Sequence, residues 1–430
     1  MDKLKVALRQ LVARRLEQRV RRLIRERRLK VVAVTGSVGK TSTKLAIATV
    51  LSRKYRVLAQ RGNFNSEIGL PLSIFELDVP ATLTSPLAWF KILRRIDARL
   101  AGDYPYDVLV LEMGADQMGD IQKFMRYIHP DVGIVTAIAP VHIEQLGSVE
   151  AIAREKMALA RGSRAVLLNA EDERVMVEAA TLGVPVQTYG VAKGGVRFAE
   201  LRRAKNETLG GTLMLNDGEI KVQTQYVGRH SLAALAAAAA VAEELGLTPE
   251  EIEPGVEAAE PFAGRMRVMA GIDGATVIDD SYNASPPAVI AALQTLAELP
   301  GRHIAILGTM NELGDYAERG HREAGAAASQ VDELVTIGDI AKKYLVAGAV
   351  ASGLSPKRIH SFDSPYAAGN YVRSIIKKDD TVLVKGSQNK VFAEEATALL
   401  LADPAERSQL VRQGPSWQAK KRVQFSDAPA

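Results

Sequence analysis

The 430-residue chain contains no cysteine. That excludes disulfides, thiolate zinc sites and a cysteine nucleophile, and it fits a reducing compartment. Histidine is scarce: the six residues (129, 142, 230, 303, 321 and 360) are scattered without paired metal-ligand spacing. No apolar run reaches the ~20 residues that cross a bilayer, and the N-terminus lacks a signal-peptide core. The expectation is a soluble or peripheral protein of the cytoplasm. What is present supports large cores: 47% of the residues are hydrophobic, and the length favours two or three domains.

Charge is unevenly placed. Residues 1–30 hold 12 Lys/Arg against 3 Asp/Glu, whereas the remainder is slightly acidic, with 43 against 47. The basicity therefore belongs to one segment. Within it Leu4, Leu8, Leu11, Val12, Leu16, Val20, Leu23 and Ile24 recur mainly at three- and four-residue steps. That spacing predicts an amphipathic helix over 2–28 with an arginine-rich polar face. Such a helix suits an anionic membrane surface or a partner protein. The plainer alternative is a stripe packed on the body with solvated arginines. Nucleic acid is not expected, because no aromatics interleave with the charge.

The segment VVAVTGSVGKTS (31–42) is the most informative in the chain. A β-branched run ends in a glycine-bearing turn and leads at once into Lys40 and Thr41, as in a strand feeding a phosphate-binding loop and a helix. Backbone N–H groups around Gly36, Ser37 and Gly39 can crowd an anion, and the helix N-terminus adds partial positive charge. Lys40 can reach the outer phosphates, and the hydroxyls of Thr41 and Ser42 lie where nucleotide or magnesium needs oxygen. Val34 stands where the common pattern has its first glycine. A tight turn with a merely exposed lysine is the bland alternative. The combination points to ATP or GTP.

Apolar runs at 31–35, 56–59, 107–111, 132–136 and 164–168 alternate with helical patterns, the rhythm of a mostly parallel sheet covered on both faces. Residues 195–227 read as irregular β structure, with Gly210-Gly211 as a turn. Leu232–Ala242 reads as a buried helix. A linker near Pro261–Gly264 precedes further strands near 275–278, 303–307, 333–337 and 380–384. The tail from about Asp403 is polar and is expected to end disordered. The fold class is thus α/β. A central phosphate-loop ATPase domain is followed by a Rossmann-like C-terminal domain and preceded by a basic helix. The expected boundaries are 1–29, 30–262, 263–403 and 404–430.

Glu112 closes the buried run YDVLVLE (106–112), so its carboxylate emerges at a carboxyl strand end, where open α/β sheets bind ligands. Beside a nucleotide loop it is placed to hold magnesium. His142, Glu155 and Lys156 follow the next strand, and composition alone gives none of them a role. NFNSEIGLP (63–71), GRHS (228–231), GRM (264–266), DDSYNASP (279–286) and KGS (385–387) are polar segments at strand ends or junctions, each weak by itself.

In their order and spacing, these segments resemble the Mur ligase family over residues 30–390. The long motifs VTGSVGKTSTK, GNFNSEIGLPLS, VLEMGADQMGDI, HIEQLGSVEAIAREK, IDDSYNASPPA, LGTMNELG and VLVKGS carry the resemblance. DDSYNASP and MNELG point to the branch that joins D-alanyl-D-alanine to a UDP-N-acetylmuramoyl-tripeptide in peptidoglycan synthesis. The resemblance implies two domains closing over the reactants, ATP with two magnesium ions, an acyl-phosphate and then an amide. By similarity Lys40 and its loop hold the phosphates, and Thr41 and Glu112 serve one magnesium. His142 helps hold the second, and Lys156 is the lysine that family members carbamylate. Arg265 and Asp280 would contact ATP; Asn63, Asn65, Tyr282, Asn283 and Lys385 would face substrate.

Three departures stand out. Ser231 and Ala234 replace asparagines usual in the base-contacting segment, and Thr309 replaces the aspartate of LGDM. The phosphate loop begins near residue 35, and the basic helix stands where the family usually has a UDP-sugar-binding domain. Alternatives are a family ligase acting on another carboxylate, lipid-linked, partner-presented or of polyglutamate type, and a non-catalytic nucleotide-binding relative. DDSYNASP argues against the polyglutamate reading. The lipid-linked glutamate amidation subunit normally carries a zinc-binding cysteine cluster, which this chain lacks.

Overall fold

A computed structural model describes residues 2–60, 66–80, 82–140 and 143–428, the side-chain surroundings of 2–6 and 143–144 excepted. Its first sheet is six-stranded and wholly parallel. The strands are β1 (Lys30–Thr35), β2 (Val57–Ala59), β3 (Val108–Glu112), β4 (Val132–Val135), β5 (Ala165–Asn169) and β6 (Val186–Tyr189). Their order is β2-β3-β1-β4-β5-β6. β3 is buried at every position and β1 at all but its first, because helices cover both faces. One face packs against helices Lys40–Leu51 and Leu232–Glu244; Ala234–Ala242 are buried throughout, their small side chains admitting close approach.

The second sheet has order β10-β11-β15-β12-β13-β14. It comprises β10 (Arg267–Ala270), β11 (Thr276–Asp280), β12 (His303–Gly308), β13 (Glu333–Ile337), β14 (Ile359–Phe362) and β15 (Thr381–Lys385). β10 runs antiparallel to β11, and the remaining pairs are parallel.

Between the two lies a three-stranded antiparallel sheet of β7 (Arg197–Arg203), β8 (Leu209–Leu215) and β9 (Gly218–Gln223). Here the expectation of a turn at Gly210-Gly211 is corrected: both glycines lie inside β8. A Cβ on Gly210 would come within 2.4 Å of Gln223 Oε1, and one on Gly211 within 2.8 Å of Ala199 O. These glycines serve close strand approach beside the bulge between Ala199 and Arg202. The turn is at Asn216-Asp217, where the Glu243 carboxylate accepts both backbone N–H groups.

Of the two terminal segments, the first fits the packed-stripe alternative at its buried positions, and for the second the expectation changes. The basic segment is helical from Asp2 to Arg27, but Val12, Leu16, Val20 and Leu23 are fully buried on the body. They share a core with Trp89, Ile92 and Ile96 of helix Pro86–Ala101, and Arg19 pairs with Asp97 at 2.8 Å. These four residues of the stripe are therefore not available to lipid, whereas Leu11 is 54% exposed. The tail is not disordered over the described residues: a 3-10 turn (Pro404–Gln409) and a helix (Pro415–Gln424) fold back onto the second sheet's domain. Lys421 explains why. Its fully buried ammonium lies 2.9 Å from Glu394 and 2.6 Å from Glu395. Charges so deep are retained only when paired.

Candidate active site

The carboxyl ends of β1 and β3 meet the loops after β11, β12 and β15 across a cleft of about 460 Å³. From the first sheet come Ser37–Thr41, Glu112, Asp116 and Lys156. From the second come Tyr282, Asn283, Asn311, Glu312 and Gln388, with Arg265 at the junction.

The loop after β1 is fixed by contacts only glycine permits. Gly36 has φ 144°, and a Cβ there would fall 2.0 Å from Thr136 Oγ1. Gly39, φ 83°, caps the helix Lys40–Leu51. The Ser37 N–H donates to Ala137 O (2.8 Å) and its hydroxyl to Ala139 O (3.0 Å), so this serine ties the loop to the next one. Val34 is a buried strand residue, and the loop starts two residues after it. Ser42 is half-buried in the first helical turn and lies outside the cleft lining. Lys40 Nζ donates to Gly36 O at 2.8 Å; burial lowers its pKa, with the Glu112 carboxylate opposing.

Thr41 Oγ1 donates to Glu112 Oε2 at 3.0 Å. One turn further on, Lys44 places its ammonium 3.2 Å from the same oxygen, both side chains being 2% exposed. The Glu112 N–H donates to Gln60 Oε1 at 2.7 Å. Among the described residues no cluster of three His, Asp or Glu side chains gathers. Magnesium does not require one, since it takes one or two carboxylates and completes its shell with phosphate oxygens and water. The Thr41 and Glu112 oxygens, converging beside the phosphate loop, fit that donor set.

Lys156 is 2% exposed, and burial lowers its pKa to about 7, with Lys40 adding repulsion and Glu155, Asp116 and Asp120 opposing. Its neighbour Glu155 accepts the N–H groups of Gly119 (2.6 Å) and Ile121 (2.8 Å), locking helix Asp120–Met125 against helix Val149–Arg161. His142, Asn63 and Asn65 lie outside the described residues.

Across the cleft, the Arg265 guanidinium stands 4.5 Å from the Tyr282 ring centre, and its Nε is buried with no hydrogen-bond partner among the described residues. A buried donor left so is unusual. Asp280 and Lys385 instead face each other at 2.6 Å, almost wholly buried, and Lys385 also donates to Asn283 O at 3.1 Å. Neither lines the cleft; both hold up the loop that does. Asn283 Oδ1 accepts from the Gln388 N–H at 3.3 Å. Ser231 and Ala234 lie at the start of helix Leu232–Glu244, outside this cleft. Thr309 is buried, its hydroxyl accepting the Ala341 N–H at 3.4 Å.

Sequence reasoning missed Lys44 and Arg412. The three-residue step from Thr41 to Lys44 along one helix was a usable signal for the first. For Arg412 there was none. It donates to Tyr282 O (2.9 Å) and Ser281 O (2.6 Å) while forking onto Glu394 at 3.0 and 2.6 Å.

A glycine-bearing loop with Lys40 and an acidic strand end, facing a second α/β domain across a cleft, fit a nucleotide-using enzyme of the α/β class. The Mur ligase middle domain matches residues 34–84 and 96–242, and the Mur ligase glutamate ligase domain matches 264–388. The UDP-N-acetylmuramoyl-tripeptide--D-alanyl-D-alanine ligase of Mycobacterium tuberculosis is 32% identical over 406 residues, covering 87% of this chain and 74% of that protein. The Bacillus subtilis ligase of the same name is 29% identical over 385 residues, covering 88% and 78%. Among solved structures, MurF ligase from Thermotoga maritima in complex with ADP superposes with TM-score 0.75 at 26% identity, covering 90% and 84%. The chain belongs to the Mur ligase family, is MurF-like within it, and is an ATP-dependent amide ligase.

Proposed function

We propose that the chain joins D-alanyl-D-alanine to a UDP-N-acetylmuramoyl-tripeptide in the cytoplasm, within the domain boundaries read from its sequence. The supporting observation is the convergence in one cleft of Lys40, Thr41, Glu112 and Lys156 from one sheet with Arg265, Tyr282 and Asn283 from the other.

In this reading Lys40 and the amides of the Gly36–Thr41 loop orient and neutralise the ATP phosphates, the chief need of phosphoryl transfer. Thr41 and Glu112 would hold one magnesium, which supplies charge neutralisation at the phosphates when bound. His142 and a carbamylated Lys156 would serve a second. A lysine pKa near 7 supports this, because carbon dioxide adds only to the neutral amine. Arg265 would donate its buried Nε to the nucleotide.

The substrate carboxylate then forms a bond to the γ-phosphorus as the bond to ADP breaks. The incoming amine attacks the acyl-phosphate carbon, loses a proton, and inorganic phosphate leaves. Tyr282 and Asn283 would face the incoming dipeptide, with Asp280 and Lys385 bracing their loop. Contact of residues 1–29 with an anionic membrane or a partner belongs to the same reading; it rests on the exposed arginines alone.

The test is phosphate release from ATP with D-alanyl-D-alanine and UDP-N-acetylmuramoyl-tripeptide, each omitted in turn, with product mass measured. Turnover requiring both, with the amide mass, is expected. Turnover with another carboxylate in place of the UDP-tripeptide would overturn the substrate assignment and leave the ligase chemistry standing.

A further inference from the structure

The segments matched by the family description leave residues 85–95 and everything before 34 uncovered. Those uncovered stretches contain the helix Asp2–Arg27 and most of the helix Pro86–Ala101, which pack on one another. The second helix has two distinct faces. Trp89, Ile92, Ile96 and Leu100 point into the core. Leu87, Phe90, Lys91, Arg94, Arg95 and Ala98 are exposed and, at three- and four-residue steps, share the opposite face.

That outer face is unusual for a soluble body. Leu87 is 63% and Phe90 59% exposed, and Leu83, 52% exposed, sits in the turn just before the helix. The turn is held in place: Trp89 Nε1 donates to Leu83 O at 2.8 Å, and the Ser85 hydroxyl accepts the Ala88 N–H. Next to these apolar groups, Lys91, Arg94 and Arg95 have no acidic partner among the described residues. On the adjoining helix Arg9, Arg14, Arg15 and Arg25 are exposed as well.

We infer that the outer face of helix Pro86–Ala101, flanked by the arginine face of helix Asp2–Arg27, docks onto an anionic lipid surface. The inference rests on the membrane contact proposed for residues 1–29 and moves its apolar part to a different helix. Charge complementarity selects the occupant. Lipid phosphates pair with the Lys/Arg row, while the headgroup boundary takes Leu83, Leu87 and Phe90. Nucleic acid would reward only the charges. A second copy would oppose this basic face with another.

Deleting residues 2–29 would bare Trp89 and Ile92, so point variants of the full chain are the right probes. Co-sedimentation with phosphatidylglycerol-rich and with pure phosphatidylcholine vesicles is the measurement, with thermal melting and ATP turnover as folding controls. We expect binding to the anionic vesicles only. Lys91→Glu/Arg94→Glu/Arg95→Glu should weaken it about ten-fold or more, and Leu87→Ser/Phe90→Ser should also weaken it, both with unchanged turnover. Equal binding to both vesicle types, or displacement by duplex DNA without effect of Leu87→Ser/Phe90→Ser, overturns the inference. If Arg14→Glu/Arg15→Glu alone abolishes binding while both other variants bind like wild type, the contact of residues 1–29 stands and this one falls.

Discussion

At the residue scale the buried titratable groups carry the sharpest consequences. Lys156→Ala should lower turnover on the order of 100-fold, and formate or acetate in solution should restore part of it if a carbamate is the working group. Absence of rescue in a variant that still binds nucleotide would remove the carbamate from the scheme. Asp279 is fully buried, and burial raises its pKa to about 6, with Glu394 and Asp280 adding repulsion and the Ser281 hydroxyl opposing. A carboxyl pKa raised in the folded state stabilises fully below the unfolded value near 3.8, and that contribution is lost as pH rises through about 6. Asp279→Asn should therefore be more stable than wild type at pH 8, by at most about 3 kcal/mol, with no such gain at pH 4. Denaturant unfolding at the two pH values reads the difference directly.

At the scale of elements, the tail is a brace rather than an appendage. Arg412 connects Glu394 to the backbone of Ser281 and Tyr282, and Lys421 and Arg407 neutralise Glu395 behind it. Arg412→Ala should raise the KM for the amine substrate about ten-fold while changing nucleotide affinity little. Arg412→Lys should recover only part, since an ammonium cannot fork. Equal losses in both constants would mean general unfolding of the domain. The legibility of elements from sequence follows the same physics. β1, β3 and β4 announce themselves because strands buried on both faces must be apolar throughout. β6, β10 and β14 escaped notice because they are short edge strands, half in water, with polar residues among the apolar ones. The phosphate loop was readable from glycine and lysine spacing. The Arg412 contacts were not, because they join residues 130 and 131 positions apart.

At the scale of the molecule, the cleft brings side chains from two sheets to face each other across an opening. ATP and the acyl substrate together should draw the two domains inward, seen as a smaller radius of gyration in solution scattering. ATP analogue alone should do less, because no acyl substrate then adds contacts across the cleft. An unchanged radius with both present would mean that the cleft works at its present width.

The placement of Arg412 also gives the protein a timetable. A ribosome delivers β1 and its phosphate loop early, then both sheets, and only afterwards the arginine that fixes Ser281 and Tyr282. A nascent chain halted after Asn389 would own every cleft residue among those described yet hold the Ser281-Tyr282 loop without its arginine. Competence thus arrives near the end of translation, so prematurely terminated chains would bind nucleotide without competing for the dipeptide.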